Sequence, residues 1–454
     1  MTLSVDQILA LAPDAASAKA GSAQSSMAKW SGLGGHAQAL WGLCQGSGKE
    51  PYKAQIDLSV PAFKCTCPSR KFPCKHGLGL YLLYAREGGA FTDCAAPQWV
   101  SDWLQSREDR SEKKAAKLLD ADASQTPEDS AAKALSQAKR QEKRSGNVEA
   151  GLAVLDTWLG DLARDGLANL RSKSAKDWEA MAARLVDTQA GALAARLRRT
   201  GMLIYGSSAP GWETAVAREL AQIALLSQAY KRLSTLPLPL QYDVKAAIGW
   251  VMTNDEVLAE RGHTDLWVVC GNHTQDDERI SRRTCYLRGR ASGRWAALFQ
   301  FSAGAQALPP PLLLGTWHQG MLHFYPGALP LRVAFGADVA LAPTPAPVTP
   351  VAANITALLG DYAAALSAQP FLETFPMLLE QVVPIVSETQ QFALKDHAGA
   401  LLPIAPCFRH AWHLLALAGG APATIFGLWS GDCFTPLSVL VQGRLYSLDP
   451  DGAR

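Results

Sequence analysis

The stretch Phe63-Lys64-Cys65-Thr66-Cys67-Pro68-Ser69-Arg70-Lys71-Phe72-Pro73-Cys74-Lys75-His76 decides how the N-terminal part of this chain folds. It has the form C-x-C-x6-C-x-H. Three thiols and one imidazole at this spacing are the donor set of a tetrahedral Zn²⁺ site. In an extended segment, residues two apart point the same way, so Cys65 and Cys67 share a face with Thr66 opposite. Pro68 and Pro73 stiffen the connection and keep it out of a ladder. Cys74 and His76 then stand at the entry to an apolar helix. Four protein ligands leave no open position for water, which marks a structural rather than a catalytic zinc. Three thiolates around one divalent cation leave a net negative charge. Lys64, Arg70, Lys71 and Lys75 surround it, offset that charge and favour the thiolate form. Ordinary buried cysteines and a redox-sensing thiol cluster are the competing readings, and the four-ligand spacing argues against both.

Outward from these ligands, Tyr52-Lys-Ala-Gln-Ile-Asp-Leu-Ser-Val60 alternates as a strand does, after a turn at Gly46-Ser-Gly48 and Pro51. Gly77-Leu-Gly-Leu-Tyr-Leu-Leu-Tyr-Ala85 reads as an apolar helix closed by Gly88-Gly89. A small strand–turn–helix unit is therefore expected over about 40–90, inside an N-terminal domain spanning 1–95. Residues 105–147 are charged and almost without aromatics, so 96–147 is expected to be a charged helical linker. Their end, Lys133 to Arg144, is basic. From 148 to 260 apolar residues recur at helical spacing over Val148–Arg164, Ser174–Arg199 and Glu213–Leu233. From 261 to 454 short β-rich runs alternate with Gly and polar turns, around a Pro-rich linker at Ala342–Pro350. The fold class expected is α+β: a small zinc module, a helical region, then a larger mixed region with antiparallel strands.

The 454 residues are 48% hydrophobic and 19% charged, with a net charge of +2. That balance suits large buried cores and does not by itself call for nucleic acid or an anionic membrane. No apolar run is long enough for a membrane helix, and the first residues lack the basic start of a signal peptide, so the cytoplasm is the expected compartment. Nine cysteines are too few and too scattered for a disulfide framework.

Other motifs are weak. Cys44 is expected to pack near the metal. Cys94, Cys270, Cys285, Cys407 and Cys433 share no metal spacing and read as core. His410 and His413 lack the Glu of H-E-x-x-H, and His318 and His323 bracket an expected turn at Gln319-Gly320. Gly46-Ser-Gly-Lys49 is followed by Glu50 and is no phosphate loop. No G-x-S-x-G elbow occurs.

The C-x-C…C-x-H string resembles the SWIM-type zinc finger. Trp41-Gly-Leu-Cys-Gln-Gly-Ser-Gly48 with Pro51-Tyr52 is similar to the bacterial SWIM proteins in particular, and the resemblance covers about residues 30–90. It implies Zn²⁺ on Cys65, Cys67, Cys74 and His76, in a small ββα zinc module that binds DNA or protein. It also implies work beside ring-forming AAA-type ATPases and von Willebrand A-type proteins. Two functions stay open: a non-catalytic protein-interaction adapter, and a nucleic-acid-binding (DNA-binding) protein using the basic finger. Lys53, Lys64, Arg70, Lys71 and Lys75 are the candidate contacts to either partner. The oligomeric state is not legible.

Overall fold

The computed structural model describes all residues except 1–2, 4, 10, 14, 47–49, 59–61, 70, 108, 110–126, 173, 207–211, 278–279, 304–307, 344–353, 389 and 449–454. The turn residues 47–49, Arg70 and most of the Pro-rich linker therefore lie outside the described residues. The expected α+β class holds.

The N-terminal unit opens with helices α1 (Val5–Leu9) and α2 (Ala15–Gln24). Strands β1 (Trp30–Gly35), β2 (Ala39–Cys44), β3 (Tyr52–Asp57) and β4 (Ala62–Cys65) then form an antiparallel sheet. Helix α3 (Lys75–Arg86) follows, and β5 (Thr92–Asp93) adds in parallel to β1, giving the order β4-β3-β2-β1-β5. Strand alternation sorts the two faces. Leu40, Ala54, Ile56 and Phe63 pack under Leu78, Leu80, Leu82 and Leu83 of α3. Trp41 and Ala62 point the other way, onto Val100, Trp103 and Leu104 of a helix over 98–107, α4. The strand and helix read from the sequence, with the second strand that the resemblance implies, thus belong to a five-stranded sheet held between helices. Helix α2 lies against α3 with almost no space between them. A Cβ at Gly79 would fall 2.5 Å from Gln24 Cβ, and one at Gly21 2.7 Å from Leu78 Cβ.

Of the expected linker 96–147, what is described is α4 and the first part of α5 (Pro127–Asp165), so position 148 falls within one helix. Arg144, from the basic run, does not simply face water. It donates to Gly249 O at 3.0 Å, beside the C-terminus of α9 (Leu238–Ile248), and lies 4.8 Å over Trp250. A guanidinium at the negative end of a helix is favourably placed. Helices α6 (Ala175–Asp187), α7 (Gly191–Gly206) and α8 (Trp212–Lys231) complete the bundle around Leu152, Leu155, Trp178, Leu193, Leu197 and Ile223. The single helix expected over Ser174–Arg199 is two, because the chain reverses at Gln189, whose φ is +68°. Within the bundle Arg196 is buried against Glu219, 3.0 Å away.

After α10 (Asn254–Ala259), strands β6 (His263–Asp277), β7 (Ile280–Gly289), β8 (Trp295–Ala303), β9 (Trp317–Phe324) and β10 (Arg332–Phe335) close into a barrel. β6, β7 and β8 form an antiparallel meander. β9 pairs back onto β6, and β10 lies between β9 and β8, antiparallel to the first and parallel to the second. The circuit is therefore β6-β7-β8-β10-β9-β6, with β11 (Ala340–Ala342) added on β9. Trp267, Val269, Leu287, Ala296, Leu322 and Val333 fill its interior. The turn expected at Gln319-Gly320 is instead the middle of β9. Gly320 stays in the strand at φ +147°, where a Cβ would meet Val339 Cα at 2.6 Å.

A second antiparallel sheet, β14-β13-β12-β15-β16-β17, is built from β12 (Phe375–Val386), β13 (Phe392–Lys395), β14 (Leu401–Pro403), β15 (Ala423–Trp429), β16 (Phe434–Val441) and β17 (Arg444–Ser447). α11 (Ile355–Ala368) and α12 (Ala411–Ala418) cover one side of it. Its other side packs on the barrel through Val268, Cys270, Phe426 and Leu437. β6 bulges between Val269 and Gly271, and Ser438 Oγ donates to the freed Cys270 carbonyl. Gly271 is needed there, since a Cβ would stand 2.5 Å from the Phe426 ring. Cys270 and Cys285 are buried as expected, whereas Cys94 and Cys407 are exposed and Cys433 is half-buried. Those three sit in turns or at element ends rather than in strand interiors. Among the described residues no helix is long and apolar enough to cross a membrane.

Candidate metal centre

Cys65 closes β4, paired across the ladder with Ala54. Thr66 prolongs that ladder. Its N–H donates to Lys53 O at 3.1 Å and its hydroxyl accepts from Lys53 N–H at 3.0 Å. The chain then turns away, so Cys65 and Cys67 remain on one side with Thr66 exposed opposite. On the return, Cys74 is the N-cap of α3 and its Sγ accepts from Gly77 N–H at 3.5 Å. His76, one residue into the helix, is buried and stacks at 4.9 Å on Tyr52 of β3.

The donor atoms of Cys65, Cys67, Cys74 and His76 all lie within 4.8 Å of one another. Cys65 Sγ and His76 Nδ1 are 3.8 Å apart. A zinc–sulfur bond of about 2.3 Å sets a tetrahedron edge of about 3.8 Å, so the cluster fits one Zn²⁺. Sharing a hydrogen bond with Cys65, and helped by His76 and the Gly77 N–H against the effect of burial, Cys74 is pushed down to about 4. The same bond, with burial, holds Cys65 far above the ordinary thiol range, and burial raises Cys67. The metal takes cysteines as thiolates, so loading it releases protons from the cluster. Cys44 is fully buried in the adjoining core, its thiol raised by burial and 3.8 Å from Gln24 Oε1.

The five cations expected to contact a partner do not form one rim. Lys71 and Lys75 line a groove of about 880 Å³ beside the metal ligands Cys67 and His76. Lys53 reaches the other face of the sheet, 6.0 Å over Trp99, and alternation along β4 puts Lys64 on that face with Ala62. Arg70 lies outside the described residues. Lys29, with no motif to single it out, joins Lys71 and Lys75 in the groove, whose other walls are Ala16 and Ala20 of α2, Gln45, Gly46 and Tyr52. Of the aromatics near the ligands, Phe63 is core, while Phe72 is 43% exposed and meets Phe63 edge-on.

The module is not free-standing. Leu313 and Leu341 of the barrel region belong to the same apolar cluster as Leu3, Leu11 and Phe63. A cavity of about 370 Å³ remains along this seam, lined by Phe63, Phe72, Pro309–Leu313 and His318. Burial there pushes His318 down to about 4, and its Nε2 lies 3.2 Å from Thr316 Oγ1.

Two family models match the chain. The SWIM zinc finger matches residues 60–85, which hold all four ligands, and the SWIM-associated four-helix bundle domain matches residues 143–248. No curated protein and no solved structure matches.

Proposed function

Because the chain is a SWIM-type zinc finger protein, carrying the finger and its associated helical bundle, we propose that it acts as a non-catalytic adapter whose metal-side groove holds a segment of a protein partner. The observation that carries this reading is the pairing of a closed four-ligand centre with the groove beside it. The centre offers no ligand position for a reacting water, so its work is to fix the shape of its surroundings. The groove it fixes is lined by Ala16, Ala20 and Tyr52, by the polar Gln24, Gln45 and Ser69, and by three lysines, Lys29, Lys71 and Lys75. That chemistry suits an extended, acidic peptide. A ring-forming ATPase system is the partner class that the family resemblance implies. Nucleic acid is the second reading of the same lysines, and the separation of Lys53 and Lys64 from Lys71 and Lys75 by the thickness of the sheet counts against a continuous phosphate track at the finger.

The test is quantitative affinity capture with the zinc-loaded full chain and a Lys71→Glu/Lys75→Glu variant, followed by cross-linking. The reading requires that the partner cross-link to the groove through an acidic segment and be lost from the variant. Retention by the variant, or loss of the partner on nuclease treatment, overturns it.

A further inference from the structure

On the outer surface of the barrel, far along the chain from the finger, two half-buried arginines pair with no carboxylate among the described residues. Arg282 of β7 donates to Gln275 Oε1, and Arg332 of β10 bonds to Tyr325. Neither forms an ion pair among the described residues. The acid nearest in effect, Glu373, is held by Arg196 and Arg199 at 3.9 and 3.2 Å. Both guanidinium groups lie on rings. Each is 5.1 Å from the centre of Phe299 on β8, and Arg332 is 4.0 Å from Tyr325. Phe301, two residues along the same face of β8, meets Phe299 edge-on at 6.1 Å and is 50% exposed. Its neighbours by alternation, Ala296 and Leu298, point into the barrel.

A half-exposed phenyl ring beside two guanidinium groups that lack an ion-pair partner among the described residues is a surface that something planar and anionic can cover. Bases stack on such rings and phosphates take up the guanidinium donors. The barrel frames the cluster accordingly. A meander of three strands, with the fifth strand parallel to the third and the fourth closing on the first, is a five-stranded Greek-key barrel. Barrels of the oligonucleotide-binding type present ligands on their second and third strands, flanked by the 1–2 and 4–5 loops. Here those strands are β7 and β8, and Tyr325 begins the β9–β10 connection. Fold alone assigns nothing; the arginine–phenylalanine cluster carries the case. The other end of this face is closed, since Tyr286 and Trp295 pack on Phe426 of the second sheet. A bound strand therefore occupies only the Arg282–Phe301 end, a footprint of a few nucleotides.

We propose that the β7–β8–β10 face binds single-stranded nucleic acid, with Phe301 as the stacking platform and Arg282 and Arg332 on phosphates. The site is separate from the groove at the metal centre and does not depend on what that groove holds.

The experiment is fluorescence anisotropy of the zinc-loaded full chain with labelled oligo-dT, oligo-U and a duplex, each about 20 units long to exceed one barrel's site size. At low salt both single strands bind and the duplex binds more weakly. Phe301→Ala weakens binding about 5- to 150-fold, the range for losing one stacked base, while Phe301→Trp retains it. Arg332→Gln reduces the slope of log affinity against log salt by about 0.7, one phosphate contact on a single strand. Lys71→Glu/Lys75→Glu leaves binding unchanged. Equal affinity for oligo-dT and oligo-U supports recognition of bases and phosphates alone. Preference for oligo-U supports RNA as the ligand, and preference for oligo-dT supports DNA. Absence of single-strand binding at low salt, indifference to Phe301→Ala, loss in the groove variant, or a duplex bound as tightly overturns the proposal.

Discussion

Cys74→Ser separates what the metal contributes from what the helix contributes. Cys74 is both a ligand and the N-cap of α3, its Sγ facing Gly77 N–H. Serine is among the best N-caps, so the hydroxyl keeps the helix start while removing a thiolate. Outer-shell partners of a metal cost about 10- to 100-fold in affinity when removed, so losing a ligand itself costs at least about 100-fold. At a fixed free zinc level above the dissociation constant, that factor removes about 2.7 kcal/mol of metal-linked stability. The buried residues of α3 stay packed between the sheet and α2, so the metal-free variant and the metal-free parent should unfold within about 1 kcal/mol of each other. Urea titrations of both proteins, with zinc and with chelator, measure all four states. Hydrogen exchange locates the change, expected at 63–86 and, through Leu313, at 308–316. A parent midpoint indifferent to chelator would refute the structural role of the metal. A metal-free variant much weaker than the metal-free parent would refute the capping argument.

Three further outcomes are expected. Burial pushes the Asp243 carboxyl up to about 6, although it accepts from Ala328 N–H at 2.8 Å across the seam between bundle and barrel. A raised carboxyl contributes stability that is fully present below its unfolded value of 3.8 and is lost as pH rises through about 6. Asp243→Asn should then stabilise the protein above pH 6, by about 1 kcal/mol once solvent screening at this half-buried position is allowed for, and lose that advantage in acid; melting curves across pH decide it. Gly271→Ala forces a methyl into the fully buried Phe426 ring and should cost about 1–3 kcal/mol in a denaturant titration; a neutral result means the two sheets can part without penalty. Arg196→Ala strips Glu219 of its buried partner and should cost about 2 kcal/mol, below the fully buried range because the Glu219 side chain is 28% exposed; a cost near zero would show that Gln222 and water suffice.

The metal ligands were legible because their geometry is local. One residue between two cysteines on a strand, and one between a cap and the first turn of a helix, fix four side chains with no help from distant chain. The helix after them was equally plain, since its apolar run is dense. Strands β1 and β2 were hidden by Gly32, Gly34, Gly35 and Gly42, which weaken any strand pattern. Helix α2 was hidden because it packs through alanine and glycine, leaving no apolar stripe to detect. Short β-rich runs were read over 261–454 and strands lie there, but barrel closure depends on β10 lying beside β8, a non-local pairing that periodicity does not encode. The same holds for the arginine–phenylalanine cluster, whose members come from three strands. His318 and His323 were misplaced because Gln319-Gly320 has the composition of a turn, while Gly320 uses its freedom to let Val339 approach.

The presence of Leu313 and Leu341 in the N-terminal core bears on how this finger can be used or inherited. It cannot be transplanted as a cassette. Cut from its host after residue 95, it would carry a bare hydrophobic hollow where the barrel's leucines had been, and bait made that way would attract greasy surfaces unrelated to its true ligand. A lineage that changes the barrel's proline-rich loop must revise the finger's underside in step, so these two distant stretches of the gene are expected to drift together rather than shuffle apart.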